Sequence, residues 1–165
     1  KDAEITQKFF KTVQNKLHWA ITGKTAAELI ADRADASQPN MGLTTWKNAP
    51  KGKVLKTDIG TAKNYLQEKE IKELERIVTM YLDFAELQAE RQIPMKMADW
   101  VTRLDAFLQF NEYNILKDAG KLSHDVAMNL AEKEYSKFRV IQDRNFESDF
   151  DKEVKKITNK PKKKK

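Results

Sequence analysis

The residues best suited to chemistry in this sequence are one histidine and a group of charged side chains between positions 18 and 35. A neutral imidazole is the natural general base of an acyl- or phosphoryl-transfer site, and His18 is the only histidine before position 124. His18 also neighbours Leu17 and Ile21 in an apolar helical stretch. That setting favours a hydrogen-bonded histidine at the edge of the core over a catalytic base.

Arg33 lies between two carboxylates, Asp32 and Asp35, just before a segment that contains Pro39 and Asn40. A cation held between carboxylates can bind an anion or position a phosphate, and perturbed charges of this kind often mark functional sites. A local network of ion pairs is the favoured alternative. A cleft that Arg33 shares with His18 and Asn40 would instead favour the anion site.

A row of three carboxylates, Asp83, Glu86 and Glu90, is spaced three and four residues apart. On a helix this spacing places all three on one face, where they can present oxygen ligands to a divalent metal. Such rows are usually solvated faces of ordinary helices. We therefore expect no metal at this position.

Two further classes of metal chemistry are excluded by residue type. A di-iron helical bundle needs two Glu-x-x-His pairs, whereas Asn15 precedes His18 by three residues and Lys121 precedes His124 by three. The chain has no cysteine, so it can form neither thiolate metal sites, nor disulfides, nor a cysteine nucleophile. We expect the protein to carry no cofactor.

The three tryptophans, Trp19, Trp46 and Trp100, offer rings on which nucleic-acid bases can stack. They lie among apolar helical positions instead of alternating with Lys or Arg, which favours a place in the core. The sequence also lacks a Walker-type Gly-Lys-Thr loop and a Gly-x-Ser-x-Gly elbow. Neither a P-loop nucleotidase nor an α/β-hydrolase is indicated.

Apolar residues return at the period of an α-helix along most of the chain. Thr25 and Glu28 form the sequence pattern of a capping box at the start of the second helix. Pro94 ends the long central helix, and Gly120 follows the next one. The predicted helices span 2–22, 25–36, 58–65, 71–91, 100–115 and a last helix from Ser123 to about 157 that bends near 143–149.

Residues 37–56 form the longest predicted loop, because Pro39, Gly42 and Pro50 interrupt any regular element. Met41 and Trp46 lie inside it, and burying them would offset part of the entropy of ordering the loop. No alternation typical of a strand is present. We predict an all-α fold: a single-domain helical bundle or orthogonal array at 1–158, with three long helices, two or three short ones and one long ordered loop.

The net charge of +6 is concentrated at one end of the chain. Five of the 31 basic residues lie in 160–165, so 26 basic residues face 25 acidic ones in the rest. We expect 159–165 to be a flexible Lys-rich tail. Such a tail attracts phosphates through counterion release, which gives at most non-specific, salt-sensitive binding to nucleic acid.

The location and the partners are further expectations from composition. No stretch is long and apolar enough to span a bilayer, and the start lacks the order of a secretory signal. We expect a cytoplasmic protein that does not bind membranes. Lys1 stands where an initiator Met would be, which suggests a module of a longer polypeptide.

Several long strings carry a resemblance to a known family. They are FFKTVQNKLHWAI at 9–21, TAAELI at 25–30, RADA at 33–36, PNMGLT at 39–44, AKNYL at 62–66, MADW at 97–100 and LDAFL at 104–108. In these strings the sequence resembles the C-terminal region of the RhuM family of bacterial virulence-associated proteins. The resemblance covers nearly the whole chain except the Lys tail.

The resemblance implies a two-part protein in which an N-terminal, winged-helix-like segment binds DNA and the region present here follows it. In related architectures a similar N-terminal segment is joined to a Fic-type domain, so the C-terminal part looks like an exchangeable effector or assembly module. The His-Pro-Phe string that ends in Gly-Asn-Gly-Arg is absent here. A Fic-type transferase activity is therefore not expected of this chain.

Two functions follow as hypotheses. The first is a helical module that oligomerises, most simply with copies of itself, or receives a partner for an upstream DNA-binding domain. The second is a small effector enzyme that acts on nucleotides or nucleic acid. Its candidate catalytic residues are His18, Arg33 and Asp35, and its candidate binding residues are Asn40, Trp46, Lys63 and Asn64. An exposed apolar helix face would favour assembly, whereas one concave polar pocket would favour the enzyme.

Overall fold

The computed structural model describes residues 2–147 and 149–158. Within these residues all regular structure is helical, which confirms the predicted all-α class. Two 3₁₀ turns, Pro39–Gly42 and Ala62–Tyr65, lie between the second and third helices. The α-helices are α1 (Asp2–Thr22), α2 (Ala26–Arg33), α3 (Glu68–Glu90), α4 (Met97–Phe110), α5 (His124–Asn145) and α6 (Asp149–Thr158).

The apolar core consists of two clusters joined by the longest helix. One cluster is built where α1, α3 and α4 meet, around Ile77, Leu104 and Leu108. The other surrounds α2 and α5 and includes Leu29 and Ile30. Helix α3 contributes its first turns to the second cluster and its middle to the first. Because α3 is continuous, the two clusters are held in register.

A nearly buried lysine fastens α1 to α4. Lys16 Nζ lies 2.8 Å from Asp105 Oδ1 and donates at 3.0 Å to Asp105 Oδ2. It also donates at 2.8 Å to the carbonyl oxygen of Leu116. A buried ammonium is costly unless it is paired, so this arrangement fixes the register between the two helices.

The long loop is ordered, as predicted from its apolar residues. Met41 and Trp46 are both buried, and Trp46 Nε1 donates to Gly52 O at 2.8 Å. The two ends of the loop meet where the backbone N–H of Thr44 donates to Asn64 O at 2.8 Å. Gln142 of α5 accepts from Val54 N at 2.7 Å, which attaches the loop to that helix.

Some helix boundaries differ from those that periodicity indicates. Helix α4 ends at Phe110 instead of continuing to Ile115, because Asn111 Nδ2 donates to Phe107 O and Glu112 takes a left-handed conformation with φ 64°. In 58–65 only Ala62–Tyr65 is helical, as a 3₁₀ turn. The last helix, predicted as one element from Ser123 to about 157 with a bend near 143–149, is instead divided into α5 and α6 within that interval.

Helix α5 buries a different face from the one that its large apolar residues indicate. Ala127, Ala131 and Phe138 face the core, whereas Leu130 and Ile141 are exposed. The small alanines allow α2 to approach α5 closely, so bulk was a poor guide to burial here. The Lys-rich tail at 159–165 lies outside the described residues.

Gly42 offers a test of the packing between α2 and the loop. Its φ is +81°, and a Cβ built there would lie 2.2 Å from the carbonyl oxygen of Arg33. We expect Gly42→Ala to lower the free energy of unfolding by about 2–4 kcal/mol, from backbone strain plus the clash. Urea denaturation followed by circular dichroism measures the change.

Gly23→Ala is the matched control for that substitution. Gly23 has φ +69°, but nothing lies within 4 Å of the position that an added Cβ would take. The control variant should lose only the cost of a left-handed alanine, about 1 kcal/mol. Equal losses at the two glycines would contradict the proposed close packing.

Candidate functional site

Arg33, in the last turn of α2, forms a two-pronged ion pair with Glu70 in the first turn of α3. Nη1 lies 2.6 Å from Oε2, and Nη2 lies 2.6 Å from Oε1. Nη1 also donates to the carbonyl oxygen of Tyr65 at 2.8 Å. This planar geometry is among the strongest in proteins, and both side chains are partly buried. The two guanidinium nitrogens of Arg33 that would bind a phosphate therefore bind the Glu70 carboxylate instead.

Glu70 has a second role at the start of α3. Its Oε2 accepts from the backbone N–H of Gln67 at 2.8 Å and so completes a capping box. The hydrogen bonds from Arg33 hold the pKa of Glu70 below its ordinary value. Glu70 is not among the candidates that the sequence indicates, although its place three residues after Gln67 matches the spacing of a capping box.

His18 is buried, with 8 % of its surface exposed, and its Nδ1 atom has no hydrogen-bond partner within the described residues. Burial lowers the pKa of the imidazole, and the nearby Glu70 carboxylate raises it only in part. His18 is therefore neutral at pH 7. Arg33 contacts Glu70 directly, and the Glu70 charge acts on His18, so these two candidates share one electrostatic environment.

Asp35 is engaged in a turn next to the 3₁₀ segment. Its Oδ1 accepts from the Ser37 hydroxyl at 2.7 Å and from Ser37 N at 2.8 Å, and these bonds lower the pKa of Asp35. Asn40 follows with φ 52° and is exposed. Asp35 and Asn40 thus shape the turn that brings Met41 into the core, which is a structural role for both.

Of the other candidates, Trp46 lies in the long loop, and Lys63 and Asn64 lie in the second 3₁₀ turn. Asn64 Nδ2 donates to the carbonyl oxygen of Asp58 at 2.9 Å, and Trp46 is buried in the core. Lys63 is exposed. The residue that organises this loop is Asp58, which sequence analysis missed: its two oxygens accept from Lys47 N at 3.1 Å and from Leu55 N at 2.7 Å.

Two clefts flank α5, and neither is lined by His18 or Arg33. One, of about 650 Å³, lies between α2 and α5 and includes Asp35 and Leu130 in its wall. The other, of about 480 Å³, lies beside Tyr135 and Val140. Of the candidate residues, Asp35 alone contributes to either cleft. The polar candidates are therefore spread over the fold and do not converge on one of these hollows.

No site for a metal emerges within 2–147 and 149–158. No group of three or more His, Asp or Glu side chains there is placed to hold an ion. Asp83, Glu86 and Glu90 are exposed on the outer side of α3. In the same part of the chain, every helix is too short or too polar to cross a membrane.

Large apolar side chains are exposed on several helices. Phe110 at the end of α4 is 88 % exposed, and Leu82 on α3 is 61 % exposed. Val140 and Ile141 on α5 also face solvent. Single exposed apolar residues are ordinary, but groups along one helix face commonly mark a protein interface.

Comparison with family models decides the relationship. The model of the virulence protein RhuM family matches residues 1–147. The chain belongs to that family. The match confirms the resemblance seen in the strings between positions 9 and 108, and it ends next to the junction between α5 and α6 of this RhuM-family chain. Searches of the curated proteins and of the solved structures found no significant match.

The Arg33–Glu70 pair leads to a prediction for the stability of the RhuM-family fold. Glu70→Gln should lower the free energy of unfolding by about 1–3 kcal/mol at pH 7, because a partly buried guanidinium loses its counter-charge. Folding depresses the pKa of Glu70. The stability that Glu70→Gln loses relative to wild type is therefore complete above pH 4.5, the ordinary pKa of a glutamate. The loss disappears as the pH falls through the folded-state pKa.

Denaturation curves between pH 3 and pH 7 test this. Glu68→Gln is the control, because Glu68 pairs with Lys72 on the exposed side of the same helix turn. Exposed pairs contribute little, so its curve should follow wild type. An effect of Glu70→Gln that is the same at every pH would argue against the ion pair.

His18 provides an independent test. Its C–H resonances in an NMR titration should show a midpoint below 6.5, and Glu70→Gln should lower that midpoint further by removing the neighbouring charge. A midpoint that is unchanged in Glu70→Gln would show that the two groups do not interact. With its pKa lowered on folding, His18 also makes the fold less stable as the pH falls below 6.5.

Proposed function

We propose that this chain is an assembly module that associates with copies of itself. The observation that supports the proposal is the set of exposed apolar side chains on α3 and α5, which includes Leu82 and Val140. Interfaces between proteins are built from such groups when they are surrounded by charged residues. The virulence-associated family supplies the biological context.

In the full protein, we propose that this module serves a DNA-binding regulatory part that lies outside the chain. The family resemblance supports this, since it implies a DNA-binding segment before the present region. The near-neutral charge of residues 1–159 supports it too. Contacts to DNA phosphates need a surplus of cations, which these residues lack, so DNA binding is assigned to the other part of the protein. Pairing two DNA-binding segments raises their affinity through effective concentration, without any new contact to bases.

The enzymatic alternative retains one supporting observation, the buried imidazole of His18 with its unpartnered Nδ1 among the described residues. Against it, Arg33 is bound to Glu70 and Asp35 to Ser37, so neither is free to hold a substrate. The geometry therefore favours assembly over catalysis.

Sedimentation equilibrium tests the assembly proposal. The chain should show a molecular mass that rises with concentration between about 1 and 200 µM and reaches at least twice the 19.2 kDa of one chain. Interfaces of similar area range from micromolar to picomolar in affinity, and this concentration range detects association at the weak end of that scale. A mass of one chain throughout would overturn the proposal.

The enzymatic alternative is tested in the full-length protein. If His18 and Arg33 form a catalytic site, His18→Ala and Arg33→Ala should each abolish the phenotype that the full-length protein produces in cells. The matched control is Glu70→Gln, which perturbs the same neighbourhood without removing either candidate. If only Arg33→Ala and Glu70→Gln reduce the effect, and both lower the thermal stability, the residues are structural.

A further inference from the structure

The outer side of the last turns of α3 combines acidic and apolar residues. We call it the acidic face, and it consists of Met80, Leu82, Asp83, Glu86, Leu87 and Glu90. All six side chains are exposed. Between Ile77 and Glu90 the helix carries no Lys or Arg. Within the described residues, none of the three carboxylates has an ion-pair partner, so their charge is directed at solvent.

The outer side of α5 has the opposite character. Its exposed apolar residues are Val126, Leu130, Val140 and Ile141. At 3.6 residues per turn these four, together with three cations, fall within an arc of roughly 100° that lies beside the buried side. No acidic residue falls in the arc. We call this surface the basic face.

The three cations of the basic face are Lys133, Lys137 and Arg144, all exposed. Lys137 pairs with Glu134 on the same helix. In the part of the chain that the structure describes, Lys133 and Arg144 have no ion-pair partner. The basic face therefore presents uncompensated positive charge among apolar side chains.

We propose that the acidic face of one copy docks on the basic face of a second copy. This inference rests on the proposed assembly function and names its partner and its geometry. Both faces are exposed in the folded chain, so a second molecule can bind to each of them. Their charges are opposite, and both faces combine exposed apolar residues with charged ones, which are the components of the core and the rim of an interface.

The spacing of the charges also matches. Glu86 and Glu90 lie four residues apart, as do Lys133 and Lys137, so each pair is separated by about 6 Å along its helix. The cleft of about 650 Å³ between α2 and α5 is lined by Leu130, Lys133 and Lys137, together with Asp35 and Glu134, and it borders the basic face. The proposal places the apolar side chain of Leu87 of the second copy in this cleft.

Docking of two different faces has a consequence for the assembly. After one contact, the copy that used its acidic face still exposes its basic face, and the other copy still exposes its acidic face, so the contact is head-to-tail. If both contacts form between the same two copies the assembly closes as a two-fold dimer, and otherwise it closes as a larger ring or grows as a chain. Because the contact is electrostatic, raising the salt concentration should weaken it.

A charge-swap experiment tests this proposal. One variant carries Glu86→Lys and Glu90→Lys, and the other carries Lys133→Glu and Arg144→Glu. Lys137 is left in place, because its partner Glu134 also accepts from Ala36 N at 3.0 Å. Each variant alone has two faces of the same sign, so its association should weaken at least tenfold in sedimentation. An equimolar mixture of the two should recover the wild-type assembly.

The control variant carries Lys8→Glu and Lys11→Glu, which change the net charge by the same amount as the basic-face variant. Both lysines are exposed on α1 and lie outside the two faces. This variant should associate like wild type. Circular dichroism and thermal melting of every variant verify that the fold is retained, since all the substituted side chains are exposed.

The outcomes separate this inference from the proposed function. If the wild-type chain is monomeric, both fail. If wild type assembles but one face variant assembles equally well alone, or the mixture does not recover, the chain self-associates through another contact and only the head-to-tail proposal is overturned. Loss of association in both variants with recovery in the mixture supports the proposal.

Discussion

The bidentate pair between Arg33 and Glu70 is the contact on which the arrangement of the helices depends. It joins the end of α2 to the start of α3, and the additional bond to Tyr65 O includes the 3₁₀ turn between them. Two charges that are partly removed from water are most stable when they pair with each other, which restricts the geometry of this junction. The Glu70 charge also acts on His18 of α1, whose pKa it raises in part.

This constraint explains why the residues with the most reactive side chains do not form a reactive site. A guanidinium that is held by a carboxylate and a carbonyl has little capacity for a substrate phosphate. Asp35 and Asn64 likewise use their polar atoms within turns. The polar residues in the family strings therefore have structural roles: their contacts hold the turns that follow α2, a helix of only eight residues.

The helical class and the ordered loop followed from the sequence because they depend on local spacing, on Pro and Gly, and on burial of Met41 and Trp46. The end of α4 did not, since it depends on the side-chain bond of Asn111 and the left-handed Glu112. The buried side of α5 was also missed. Small alanines lie on that side because α2 packs closely against α5, and the local sequence pattern of α5 does not show which helix will be its neighbour. Glu70 was missed because its partner is 37 residues away in the chain.

The loop from Thr44 to Asn64 has an effect on proteolysis. It contains five lysines, each followed by a peptide bond that trypsin can cleave: Lys47, Lys51, Lys53, Lys56 and Lys63. Buried Asp58 and Trp46 hold its backbone closed, and Gln142 attaches it to α5. A protease needs an extended segment, so cutting within this loop must wait for it to open. The rate of cleavage there is then a measure of how often the second core cluster comes apart.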